Sequence, residues 1–155
     1  ILGCEGLTNL DVGGFIGNKS DAFVQVVYED ATVRTDVIED SLSPCWLPWS
    51  NRAFILQSRH PSSRLFLSVN DWDTEHSKYD LIGRVSIDLS NLRSDTIYTL
   101  TYNLYESQML SEYRNKSEGT ITVSTVSSDI FAIIRIAAVA LSHMLTFTLR
   151  SDSRP

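Results

Sequence analysis

The chain has 155 residues, 43% of them hydrophobic and 21% charged, which suits one globular domain with an appendage. Its net charge is −6 and no Lys/Arg run occurs, which excludes nucleic acid as a partner because nothing is present to neutralise phosphates. Cys4 and Cys45 lie far apart without C-x-x-C spacing, which argues against a disulfide framework and for a reducing compartment.

In chain order, Ile1-Leu2-Gly3-Cys4 carries no basic n-region and no apolar h-region, and it reads as the tail of a strand cut from a longer polypeptide. Eight short extended segments are marked by alternation and by Val, Ile, Phe, Tyr and Thr: 1–4, 22–29, 33–38, 52–57, 64–71, 81–89, 97–104 and 119–126. Val24, Val26 and Tyr28 form one inner face, Val85, Ile87 and Leu89 another, and Ile121 and Val123 close the set. Polar turns at Val12-Gly13-Gly14, Glu29-Asp30, Ser41 to Pro44, His60 to Ser63 and Ser90-Asn91 separate them. Many short strands divided by turns predict an all-β sandwich or barrel over 1–126.

From 127 to 155 the character changes. Ser127-Ser128-Asp129 reads as an N-cap cluster, and 15 of the 20 residues from Ile130 to Leu149 are apolar. A helix of that length spans about 30 Å, enough for a bilayer. Against a span stands Arg135, at roughly 2.5–3.5 kcal/mol for an arginine at a helix centre. The stretch is therefore read as an apolar helix, either packed on a neighbouring domain or protein, or crossing a membrane, or without native structure.

Two acidic loops carry the chemistry. Asn70-Asp71-Trp72-Asp73 ends one alternating run and leads through Thr74, Glu75, His76, Ser77, Lys78 and Tyr79 to Asp80. Strand parity puts Asp71 and Asp73 on one side, roughly 7 Å apart. The earlier loop runs from Leu10-Asp11-Val12-Gly13-Gly14 to Ser20-Asp21-Ala22-Phe23. If both loops lie at one end, Asp11, Asp21, Asp71, Asp73 and Asp80 converge. Each like-charged pair near 4 Å then costs on the order of 4 kcal/mol at an effective dielectric of 20. Oxygen-only ligands on flexible loops suit calcium, two or more ions, better than magnesium. Histidines 60, 76 and 143 have no metal-protease spacing, and neither a G-x-S-x-G elbow nor a phosphate-binding loop occurs, so an enzyme is not expected. Trp46, Trp49 and Trp72 are read as packing residues.

These segments, in order, resemble C2 domains, the calcium-dependent lipid-binding modules of synaptotagmins and conventional protein kinases C. The carriers are Leu10-Asp11-Val12-Gly13-Gly14…Ser20-Asp21-Ala22-Phe23-Val24-Gln25-Val26, Arg34-Thr35-Asp36-Val37-Ile38 with Ser41 to Trp46, Asp71-Trp72-Asp73…Ser77-Lys78-Tyr79-Asp80-Leu81-Ile82-Gly83, Tyr102 to Tyr105 and Gly119 to Val123. The resemblance implies an eight-stranded antiparallel β-sandwich of Greek-key type, with calcium held at one end by Asp11, Asp21, Asp71, Asp73 and Asp80, and Ser77 as an accessory oxygen. The chain departs from the family's pattern in a longer first loop, a third loop one residue longer, and Ala22 in place of a proline. The resemblance also implies a cytoplasmic module that becomes peripheral on an acidic phospholipid membrane when calcium binds. Val12, Phe15 and Ile16 would then insert, while Lys19 and Lys78 meet headgroups. The rival is a calcium-independent protein-binding scaffold, and an integral membrane protein through 130–149 is a third reading. The thin basic strand, with only Arg34 near it, argues against a dedicated inositol-lipid site.

Overall fold

The computed structural model describes residues 1–11, 19–60, 62–73, 78–106, 116–128 and 133–136. Their strands are β1 (Gly3–Glu5), β2 (Ala22–Tyr28), β3 (Ala31–Arg34), β4 (Phe54–Gln57), β5 (Arg64–Asp73), β6 (Lys78–Asp88), β7 (Ile97–Asn103), β8 (Thr120–Ser128) and β9 (Ile133–Ile136). One sheet has the order β3-β2-β5-β6, and the other has β1-β8-β9-β4 with β7 also on β8. Every strand pairing is antiparallel.

The period of two decides what is inside. Val24, Val26 and Tyr28 of β2 are buried, as are Leu65, Leu67 and Val69 of β5, which stand opposite them as Val24↔Val69, Val26↔Leu67 and Tyr28↔Leu65. From the second sheet Ile121 and Val123 of β8 and Leu56 of β4 close on the same core, with Trp46 and Leu104 fully buried between. Val85 and Leu89, expected inside, are packed against the core but only partly buried, while Ile87 is buried. Trp46 also donates its indole N–H to the Asp36 carbonyl at 2.7 Å, so its one polar atom is met.

Two differences from the sequence reading concern strand extent. The hairpin of β5 and β6 continues to Asp73 and Lys78, beyond the expected ends, after a register shift between Val69 and Asn70. At the other end of the chain, the expected helix over 130–149 meets a strand: Ile133–Ile136 is β9, between β8 and β4, and Ser127 and Ser128 belong to β8. The run Ile133-Ile134-Arg135-Ile136 is rich in β-branched residues, and two strand edges with unmet backbone groups offer it partners on both sides. The rest of 130–149 lies outside the described residues. Among the described residues no helix is long and apolar enough to cross a membrane.

Candidate metal centre

The acidic residues meet where β2 begins and where the β5–β6 hairpin extends past the core. The first loop is closed at its base by Ser20, which is fully buried and whose hydroxyl accepts the Leu10 N–H at 3.0 Å. That bond ties the segment before the loop to the residue just ahead of Asp21. Asp21 in turn is fixed by its carbonyl, which accepts the Trp72 N–H at 2.9 Å, beside the pair Ala22↔Asp71. Across β5 and β6, Asp71 stands opposite Asp80 and Asp73 opposite Lys78. Directly opposed residues share a face, so Asp71, Asp73 and Asp80 project to one side of the hairpin.

The carboxylates and backbone amides form a relay. Asp71, 5% exposed, accepts the Asp21 N–H at 2.6 Å; the Asp21 carboxylate accepts the Asp40 N–H at 2.8 Å; the Asp40 carboxylate accepts the Lys19 N–H at 2.9 Å. Each of these bonds uses one carboxylate oxygen, and a charged acceptor makes each stronger than a neutral pair. Asp11 completes the group from the other side of the loop. Its carboxyl is raised above the ordinary range, first by partial loss of solvent and then by the negative charges of Asp71, Asp21 and Asp73. Three of the five predicted acids thus act on a fourth, and the fifth, Asp80, is in register with Asp71.

Lys19 and Lys78 are exposed at the same end, Lys78 opposite Asp73. Ser77, Val12, Phe15 and Ile16 lie outside the described residues. Among the described residues no group of three or more His, Cys, Asp and Glu side chains is assembled as a metal cage. The donor set is nonetheless all oxygen, from carboxylates on two loops, and that is the chemistry a hard divalent cation takes.

Asp40 was not singled out from the sequence. It sits at φ 53 in a turn after the Ile38↔Ala22 bridge, and links Lys19 to Asp21. The signal was Glu39-Asp40 directly before Ser41-Leu42-Ser43-Pro44, a polar turn whose acid is well suited to a left-handed conformation. Below the acids an aromatic group steadies the strand that carries them. Phe23 meets Trp72 and Tyr79 edge to face at 5.9 and 5.7 Å, and the Arg34 guanidinium stands 5.9 Å from the Phe23 ring and 5.4 Å from that of Trp72. Trp46 and Trp72 are packing residues as read; Trp49, expected to pack, is 81% exposed in the turn before β4.

A two-sheet antiparallel sandwich with an acidic crowd at one loop end defines a class of β-module. The family model "C2 domain" matches residues 1–104, and the chain belongs to that family. Its fold is like that of the first C2 domain of a plant Extended Synaptotagmin 1, with TM-score 0.66 and 23% identity over 80% of this chain and 86% of that one. It is also like human GIVD cytosolic phospholipase A2, with TM-score 0.61 and 20% identity over 86% of this chain and 15% of that one. The paired C2 domains of calcium-bound Extended-Synaptotagmin 2 give 0.58 and 19% over 86% and 41%. Among curated proteins, Arrestin domain-containing protein B of Dictyostelium discoideum is 27% identical over 88 residues, 55% of this chain but only 14% of that protein.

Proposed function

We propose that this C2 domain is a non-catalytic module that binds acidic phospholipid membranes in a calcium-dependent way and so brings a larger parent protein to them. The observation that carries the reading is the crowding of acids at one tip, where Asp71 accepts the Asp21 N–H at 2.6 Å and stands opposite Asp80, and where Asp11 is raised by partial loss of solvent and then by the charges of Asp71, Asp21 and Asp73. Asp11, Asp21, Asp71, Asp73 and Asp80 would hold the ions, with Ser77 accessory. Bound calcium would supply positive charge and open coordination positions for lipid phosphate or carboxylate. The chain's own residues do the rest. Ser20 and the Asp40–Asp21–Asp71 relay hold the loop bases in place, Lys19 and Lys78 add about 1 kcal/mol each near an acidic surface, and Val12, Phe15 and Ile16 are the apolar wedge. A relative whose structure is described as calcium bound supports the cation.

The test is co-sedimentation with phosphatidylserine vesicles, with calcium and with chelator. The unaltered protein is expected in the pellet only with calcium. Asp71→Asn/Asp73→Asn is expected to lose at least about tenfold in lipid affinity, since each change removes a full negative charge from the cation's ligands. Pelleting that ignores both chelator and substitution would sink the reading. It would favour the alternative, a calcium-independent scaffold for protein partners.

A further inference from the structure

The sheet β3-β2-β5-β6 turns one face to the core and the other outward. Its outward positions line up in cross-strand rows: Arg34, Gln25, Ser68 and Arg84 in one, Thr32, Val27, Phe66 and Ser86 in the next, then Arg64 beside Asp88. The charge of these rows runs against that of the whole chain. The protein carries −6, yet among these positions Arg34, Arg64 and Arg84 stand against Asp88 alone. Arg34 is seated over the Phe23 and Trp72 rings, and Arg64 pairs with Asp88 at 3.6 Å. Arg84 is exposed, and the ion pairs of the described residues, Arg59–Asp30 and Arg64–Asp88, leave it out.

Beside Arg84 the face is hollow. A cavity of about 250 Å³ opens over β2, β5 and β6, lined by Val27, Phe66, Leu67, Ser68, Arg84 and Val85, and the Phe66 ring is left 46% exposed at it. That volume falls short of the roughly 300–1,000 Å³ of a site that encloses a whole small molecule, and it suits one apolar side chain. Phe66 and Arg84 are diagonal neighbours across β5 and β6, which sets them about 7–8 Å apart. In an extended peptide, residues two apart project to the same side at roughly 7 Å. An apolar side chain in the hollow therefore carries the side chain two positions away over the guanidinium. The whole face, four strands about 4.8 Å apart over about seven residues, offers roughly 450 Å² in projection. A standard complex takes roughly 800 Å² from each partner, so this face fits a single segment rather than a folded domain.

We propose that this face docks a short extended segment of a partner protein, in which an apolar side chain fills the hollow at Phe66 and a carboxylate two residues away meets Arg84. Charge complementarity selects the occupant. Elsewhere the acidic chain repels an acidic segment, whereas here a guanidinium beside an apolar hollow takes a carboxylate with two parallel hydrogen bonds. The surface uses none of the carboxylates of the tip, so docking is independent of calcium.

The test uses the full chain in chelator, so that its failure leaves the calcium reading of the tip untouched. Three fluorescein-labelled peptides are compared by fluorescence anisotropy: Glu-Ser-Leu-Ser-Glu, Gln-Ser-Leu-Ser-Gln and Glu-Ser-Ala-Ser-Glu. The first is expected to bind saturably, about fivefold tighter than the Gln peptide, the upper scale of an exposed ion pair, and about tenfold tighter than the Ala peptide, from the apolar surface that leucine buries. Arg84→Gln erases the preference for Glu and keeps that for Leu; Phe66→Ser does the reverse. The preference for Glu also shrinks as salt is raised. No saturable binding, or equal binding of the Glu and Gln peptides or of the Leu and Ala peptides to the unaltered chain, overturns the proposal. So does pelleting of the unaltered chain, but not of Arg84→Gln, with phosphatidylserine vesicles in chelator, which assigns the face to a membrane.

Discussion

Gly83 shows how little room a single position leaves. It lies opposite Val69, and a Cβ built on it falls 2.8 Å from the Leu104 Cβ and 3.3 Å from the Tyr105 nitrogen. Leu104 is fully buried and its neighbour is backbone, so neither yields cheaply. Gly83→Ala is expected to cost roughly 1–3 kcal/mol by overpacking, read as a shift of the urea midpoint at unchanged slope. The two cysteines differ by burial in the same local way. Cys4 is buried, and loss of solvent pushes its thiol up to about 12, whereas Cys45 is exposed. Only the thiolate alkylates, so at about pH 8, near the ordinary thiol range, iodoacetamide is expected to modify Cys45 and leave Cys4 intact until the protein unfolds, as mass spectrometry of the intact chain reads directly.

At the scale of elements, the β2–β3 turn is fastened to the β4–β5 connection by one carboxylate. Glu29, at φ 51, accepts the N–H groups of Arg59 and His60 at 2.9 and 3.0 Å and the Ser63 hydroxyl at 2.8 Å. Loss of solvent would raise this carboxyl. The Arg59 N–H, the Ser63 hydroxyl, the His60 N–H and the His60 charge outweigh that and hold it below its ordinary value. A carboxyl lowered in the folded state contributes stability above its unfolded pKa and loses it as pH falls through the folded one. Denaturation at about pH 7 and about pH 3 is expected to show this loss in the unaltered protein and a smaller one in Glu29→Gln. An equal loss in both would show that the turn contributes nothing to the acid limb.

For the whole molecule, the acid-crowded end makes stability depend on what neutralises it. If the carboxylates of the two loops hold calcium, a ligand bound only by the folded state adds about 2.7 kcal/mol at a concentration about 100 times its dissociation constant. The melting temperature is therefore expected to rise with calcium and return with chelator, with magnesium doing less at equal concentration. Asp71→Asn/Asp73→Asn is expected to flatten that response. A melting temperature indifferent to calcium in the unaltered chain would remove the metal from the account and leave the sandwich as a scaffold.

Much of this architecture was legible along the chain. Strand parity identified Val24, Val26 and Tyr28 as one inner face, with Ile121 and Val123 closing the set, because a half-buried sheet leaves a period of two in its own sequence. That Asp71 and Asp73 share one side of their strand was equally plain, since strand parity alone requires it. Tertiary structure alone decided the rest. Asp40 joins the acids through backbone amides, and an amide's partner has no trace in residue identity. The run at Ile133–Ile136 has apolar residues that suit helix and strand alike, and only the open edges of β8 and β4 settle it as β9. Local pattern determines which face of a segment is apolar; which neighbour that face or edge meets is a property of the folded chain, because pairing partners lie far apart along it.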